Sequence, residues 1–149
     1  MSLALIAVCA VVLSLLIVIL MKRRRDRDEL EQHSITPEAL HALLASDDKV
    51  LVFDVRRPLE LLADLEIIPG ANRIPPKQLL QNPSLIPRDR DSVLYCTCPA
   101  DETSRKVLHQ ALALHFPRVK FLKGGLAAWK AKGYPVEPYH ESFHLETAS

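Results

Sequence analysis

Cysteine is scarce in this chain of 149 residues, which has three, at positions 9, 96 and 98. So small and odd a set excludes a disulfide framework of the kind that staples small secreted domains. Net charge is also missing, with 19 basic against 18 acidic side chains. There is no internal repeat and no low-complexity segment, so a chain of this length holds one domain and an appendage. His33, His41, His109, His115, His140 and His144 share no spacing with the cysteines. Cys96-Thr97-Cys98 has no second ligand pair, which sets a metal site aside.

What the chain does have is one long uncharged run. Leu3–Met21 is 19 residues without a charged side chain and with a single hydroxyl, Ser14. As a helix it spans about 28 Å at roughly 1.5 Å per residue, close to the hydrocarbon thickness of a bilayer. It shows no polar face, as a core helix would. A cleaved leader needs a positive segment before the run and small residues after it, whereas this run ends in Lys22-Arg23-Arg24-Arg25. The expectation is a single transmembrane helix over 3–21, a basic juxtamembrane linker over 22–33, and an inner or plasma membrane location. The positive-inside rule puts the following domain in the cytoplasm, where Cys96 and Cys98 are reduced thiols. Residues 22–28 carry a local charge of +3, leaving 14 basic and 16 acidic residues elsewhere, about −2. A slightly acidic domain is no nucleic-acid binder, and the basic cluster is accounted for by topology and anionic headgroups.

Beyond residue 33 strands alternate with helices. Thr36 caps a helix with Pro37 at its first position and Ile35 stapling onto Leu40; it ends in Ser46-Asp47-Asp48. Val50–Phe53 is a nearly continuous apolar strand, as a parallel sheet covered on both faces demands. Helical segments follow over 59–65 and 77–81, with turn chemistry at Ile68-Pro69-Gly70-Ala71 and Ile74-Pro75-Pro76. A strand over 93–96 leads through a loop to a helix from Thr103. A strand over 119–122, a Gly124-Gly125 turn and a helix over 126–132 complete the pattern. This is an α/β domain with a parallel sheet flanked by helices.

Cys96 closes the strand Val93-Leu94-Tyr95-Cys96. Ligands in parallel α/β sheets bind at the carboxyl ends of the strands, and the helix beyond the loop turns its free N–H groups and positive dipole end toward them. That setting favours a thiolate.

The soluble part resembles a rhodanese domain over residues 34–138, leaving a tail at 139–149. Three signatures carry the resemblance: FDVRRPLEL at 53–61 with IPGANRIP at 68–75, LYC at 94–96, and LKGGLAAWKAKGYPV at 122–136. The resemblance implies a sulfurtransferase or sulfur carrier in which Cys96 forms a persulfide. It would take sulfur from a sulfane donor and give it to a thiol acceptor, either of them small or protein-borne, with no cofactor. It also implies an active-site loop of Thr97, Cys98, Pro99, Ala100, Asp101, Glu102, Thr103, Ser104 and Arg105. Asp54 and Arg56 are implied as scaffold, Gly70, Gly124 and Gly125 as turn residues, and Trp129 as core.

The loop departs from the family pattern. It carries Asp101 and Glu102, no glycine and no basic residue before Ser104, and is two residues longer than the common form. Registering the loop on Cys98 restores the common distance to Ser104, so Cys98 is the alternative nucleophile. The carboxylates suit the helix start as caps, and Arg105 is the nearest cation. A phosphatase loop of the Cys-x5-Arg kind is disfavoured, since Glu102 and Ser104 stand where its arginine belongs. The competing reading is a catalytically weak or inactive module that binds a partner or senses thiol state at the membrane.

Overall fold

The computed structural model describes residues 2–46, 49–97, 102–114, 116 and 118–140. They fall into two units, one ending at Gln32 and the other beginning at His33.

The first unit is a single helix, α1 (Ser2–Gln32). It contains neither glycine nor proline, and Ser14 returns its hydroxyl to the Val11 carbonyl at 2.8 Å. Within it, Ile6–Glu29 is long and apolar enough to cross a membrane. Its apolar side chains, Ile6 through Met21, are exposed. The helix continues through the basic segment, because Lys, Arg and Glu are strong helix formers. Arg25 and Glu29 add an i,i+4 pair at 3.8 Å.

The second unit is built on a five-stranded sheet, all of whose strand pairs are parallel. Its strands are β1 (Ser34–Ile35), β2 (Leu51–Asp54), β4 (Asn72–Arg73), β5 (Ser92–Tyr95) and β6 (Val119–Leu122), in the order β1-β6-β5-β2-β4. Two short strands, β3 (Glu66–Ile67) and β7 (Glu137–Pro138), pair antiparallel beside it. Because every strand of the main sheet runs the same way, Ile35, Leu122, Tyr95, Asp54 and Arg73 end at one edge. Central β5 is buried at all four positions.

Helix α2 (Pro37–Ala45) starts as the sequence predicts, with the Thr36 hydroxyl accepting from the Ala39 amide at 3.2 Å. Helices α3 (Pro58–Ala63), α4 (Pro76–Gln81), α5 (Glu102–Ala113) and α6 (Gly125–Ala131) follow. Helix α3 stops two residues short of the predicted Leu65. Asp64 turns extended, and its carbonyl accepts from Arg56 at 2.8 Å, so the chain leaves the helix for β3. Strands β1, β3, β4 and β7 are not predicted by the sequence; two residues carry no periodicity, and their pairing is decided by distant partners.

Ile35, Leu40, Val52, Ile68, Val93, Tyr95, Leu122, Leu126 and Trp129 form the core. Trp129 is 1% exposed and donates its indole N–H to the Pro135 carbonyl at 2.8 Å. His41, read from the sequence as a surface or helix-face residue, stacks on Tyr134 at 4.1 Å between ring centroids. An imidazole on the inner side of α2 has an aromatic face to meet.

Candidate active site

Cys96 is the first residue beyond β5 and is 2% exposed. Its backbone is held from two sides. The Tyr95 carbonyl accepts from Val55 at 2.9 Å, and the Cys96 carbonyl accepts from Leu126 at 3.3 Å. Behind it lies the glycine turn. Gly125 has φ +59°, and a Cβ there would overlap the Cys96 carbonyl oxygen. The sequence assigns Gly124 and Gly125 a tight turn; the structure adds that Gly125 lets α6 pack directly against the thiol-bearing backbone.

Thr97 is exposed. Cys98, Pro99, Ala100 and Asp101 lie outside the described residues. Glu102, Thr103, Ser104 and Arg105 form the first turn of α5. That helix starts one residue before the predicted Thr103. On α5, Val107 and Ala111 turn into the core.

The strand beside Cys96 ends in a buried ion pair. Asp54 and Arg56 are 0% and 1% exposed. Arg56 donates from Nε and Nη2 to the Asp54 carboxylate at 2.7 to 3.0 Å, and its own amide also reaches Asp54 Oδ1 at 3.0 Å. Its remaining donors go to the carbonyls of Asp64 and Glu66 at 2.8 and 2.9 Å. Burial works against the Arg56 charge, but the hydrogen bonds and charge of Asp54 outweigh it, and the guanidinium pKa is raised. Arg56 thus ties the end of β2 to the start of β3 through every face of its fork. Next to it, Lys130 pairs with Asp64 at 3.0 Å and with Glu66. Gly70 (φ +75°) donates its amide to Glu137 at 3.0 Å, bracing the turn of the IPGANRIP segment.

Two residues that the sequence does not single out also belong here. Tyr95 is fully buried; its hydroxyl accepts from the Ile68 amide at 3.3 Å. Burial first, then the charge of Asp54, pushes its phenol far above the ordinary range, so it stays protonated and serves as a hydrogen-bonding strut. Arg73, at the end of β4, donates Nη1 to the carbonyls of Asp54 and Ile74, both at 3.1 Å. The signal for both was positional: Tyr95 immediately precedes the thiol, and Arg73 sits inside the segment whose glycine and prolines drew attention to turns instead.

A buried thiol on a rigid backbone, at the end of a central parallel strand and followed by a loop and helix, suits nucleophilic attack and covalent carriage of a small group.

The family model for the rhodanese-like domain matches residues 36–132. A protein of Allochromatium vinosum named sulfurtransferase is 34% identical over 104 residues, covering 70% of this chain and 94% of its own. Among solved structures, the rhodanese-like domain of an Anabaena protein superposes with TM-score 0.60 at 28% identity, over 78% of this chain and 87% of that one. A thiosulfate sulfurtransferase of Pseudomonas aeruginosa gives TM-score 0.61 at 22% identity, over 80% of this chain and 23% of that one. At that identity the likeness is one of fold.

Proposed function

The chain belongs to the rhodanese-like family, and from that membership we propose that it is a membrane-anchored sulfurtransferase that carries sulfur as a persulfide on Cys96. The observation that carries this reading is the position of Cys96: buried, at the carboxyl end of central β5, with the twelve-residue helix α5 beyond the loop. The relative named sulfurtransferase supports the same chemistry.

In the step proposed, the Cys96 thiolate attacks the sulfane sulfur of a donor. The donor's bond to that sulfur breaks, its electron pair leaves with the donor, and a persulfide remains on Cys96. An acceptor thiolate then takes the outer sulfur and returns the Cys96 thiolate, with no net oxidation. The test is the intact mass of the protein after incubation with a sulfane donor, where a gain of one sulfur is expected. No gain with any donor would favour the second reading, a binding or thiol-sensing module. One observation speaks for that module: two carboxylates and no cation lie between Cys96 and Ser104.

The same charges set an expectation for donor choice. Two unit charges about 7 Å apart interact by roughly 2 kcal/mol at an effective dielectric constant near 20, more than tenfold in affinity. Thiosulfate, a small dianion, should therefore be a poor donor, and Asp101→Asn with Glu102→Gln should improve its use. Steady-state turnover at low ionic strength, where exposed charges are least screened, makes the comparison. Efficient turnover of thiosulfate by wild type, unchanged in the double mutant, would mean the carboxylates only cap α5.

Anchoring rests on α1, and orientation on the Lys22–Arg27 cluster after its uncharged stretch. In sealed vesicles of known orientation, protease should cleave the domain only from the cytoplasmic face. Digestion only from the opposite face would overturn the topology and, with it, the reducing environment assumed for Cys96.

A further inference from the structure

The carbonyls of Cys96 and Thr97 both come up against one point on α6. A Cβ at Gly125 would overlap the Cys96 oxygen and stand 3.1 Å from the Thr97 oxygen. In an extended strand successive residues face opposite ways, so two consecutive carbonyls at one point mean that the chain leaves β5 here, against α6. The Leu126 amide takes the Cys96 carbonyl at 3.3 Å beside that contact, and Val55 holds the Tyr95 carbonyl one residue earlier.

Of the two backbones, α6 is the firmer. Leu126 and Trp129 are 3% and 1% exposed and belong to the core. The Trp129 indole is tied to the Pro135 carbonyl, and Lys130 pairs with Asp64 and Glu66. Cys96 is joined to α6 by the Leu126 bond, which lies at the long end of the range. A side chain at position 125 is therefore relieved by moving Cys96 rather than α6.

We propose that Gly125 is a positioning residue for the reaction at Cys96. By leaving room for two carbonyls, it sets the direction in which the chain turns out of β5 and so where the thiol stands. The inference rests on the persulfide reading above and concerns placement of its nucleophile, since Gly125 contributes no group to the donor.

Backbone strain has to be separated from this contact, and a second glycine does so. Gly125 has φ +59° and Gly133, beyond the other end of α6, has φ +72°. An L side chain is strained at both, but a Cβ at Gly133 meets nothing within 4 Å. The experiment uses the full chain in nanodiscs, with cysteine persulfide as donor and dithiothreitol as acceptor. Wild type, Gly125→Ala and Gly133→Ala are compared, with turnover counted per folded molecule from urea unfolding curves. A displacement of about 1 Å at a reacting group costs up to about 100-fold. Gly125→Ala should therefore lower kcat about tenfold or more with KM unchanged, while Gly133→Ala keeps both constants. Equal kcat values in the two variants, or a change in KM alone, would overturn the assignment and leave Gly125 a turn residue.

A third protein adds no bulk and decides the matter if Gly125→Ala does not fold. Leucic acid in place of Leu126 turns its amide into an ester, removing only the donor to Cys96. The loss of one hydrogen bond should lower kcat about fivefold, again with KM held; an unchanged kcat would overturn the proposal. If wild type gains no sulfur by intact mass, the persulfide reading itself falls, a result distinct from loading that ignores position 125.

Discussion

Cys96→Ser should abolish sulfur loading, while Cys98→Ser should leave it largely intact. The substitution exchanges a thiol, ordinarily near pKa 8.5, for an alcohol that is not ionised at neutral pH and forms no persulfide. The site tolerates the change. Cys96 is 2% exposed but nearly isosteric with serine, and its backbone is fixed by the Leu126 amide, the Val55–Tyr95 bond and the close approach of Gly125. A loss of loading therefore reports lost chemistry, with the fold checked by an unchanged unfolding transition. Intact mass after donor treatment reads the outcome directly, and turnover with an acceptor thiol follows it. If Cys98→Ser abolished loading and Cys96→Ser did not, the loop would be registered on Cys98. The strand-end argument for Cys96 would then be wrong.

That argument shows what is legible in this sequence. Thr36-Pro37 specifies a helix start through local chemistry, and the Thr36 cap forms. The apolar runs over 50–53, 93–96 and 119–122 become β2, β5 and β6 within a residue, because a strand buried on both faces must be apolar throughout. The position of Cys96 follows from the end of such a run. Tertiary pairing is less visible. Strands β1, β3, β4 and β7 are two residues each, and nothing local marks them. The sequence shows that Gly125 permits a turn; that the turn presses on Cys96 depends on α6 crossing the end of β5. Arg73 reads as one polar residue in a turn segment until β4 aligns it with Asp54 and Tyr95. Asp54 and Arg56 are the intermediate case. Their spacing suggests a loop-fixing pair, but that both are almost completely buried is visible only in the fold.

Their burial sets the largest expected effect on stability. Arg56→Ala should cost about 3–5 kcal/mol, since removing one partner of a buried pair leaves the other charge uncompensated. It would also strand the carbonyls of Asp64 and Glu66, which now accept at 2.8 and 2.9 Å. Typical domains hold only about 5–15 kcal/mol in total, so this variant should sit close to unfolding at physiological temperature. Arg56→Lys should recover part of the loss, as one ammonium meets the Asp54 carboxylate but cannot reproduce the fork. The paired change Asp54→Asn with Arg56→Met should cost less than Arg56→Ala alone, because no unpaired charge is left behind. Urea unfolding of the four proteins, with the m-value held as the two-state check, measures these costs, and adding Asp54→Asn and Arg56→Met as single variants closes a double-mutant cycle for the pair. A cost below about 1 kcal/mol for Arg56→Ala, the size of an exposed ion pair, would mean that Asp54 regains water when Arg56 is removed. The end of β2, and with it the neighbouring support for Tyr95 and Cys96, would then be held by strand pairing alone.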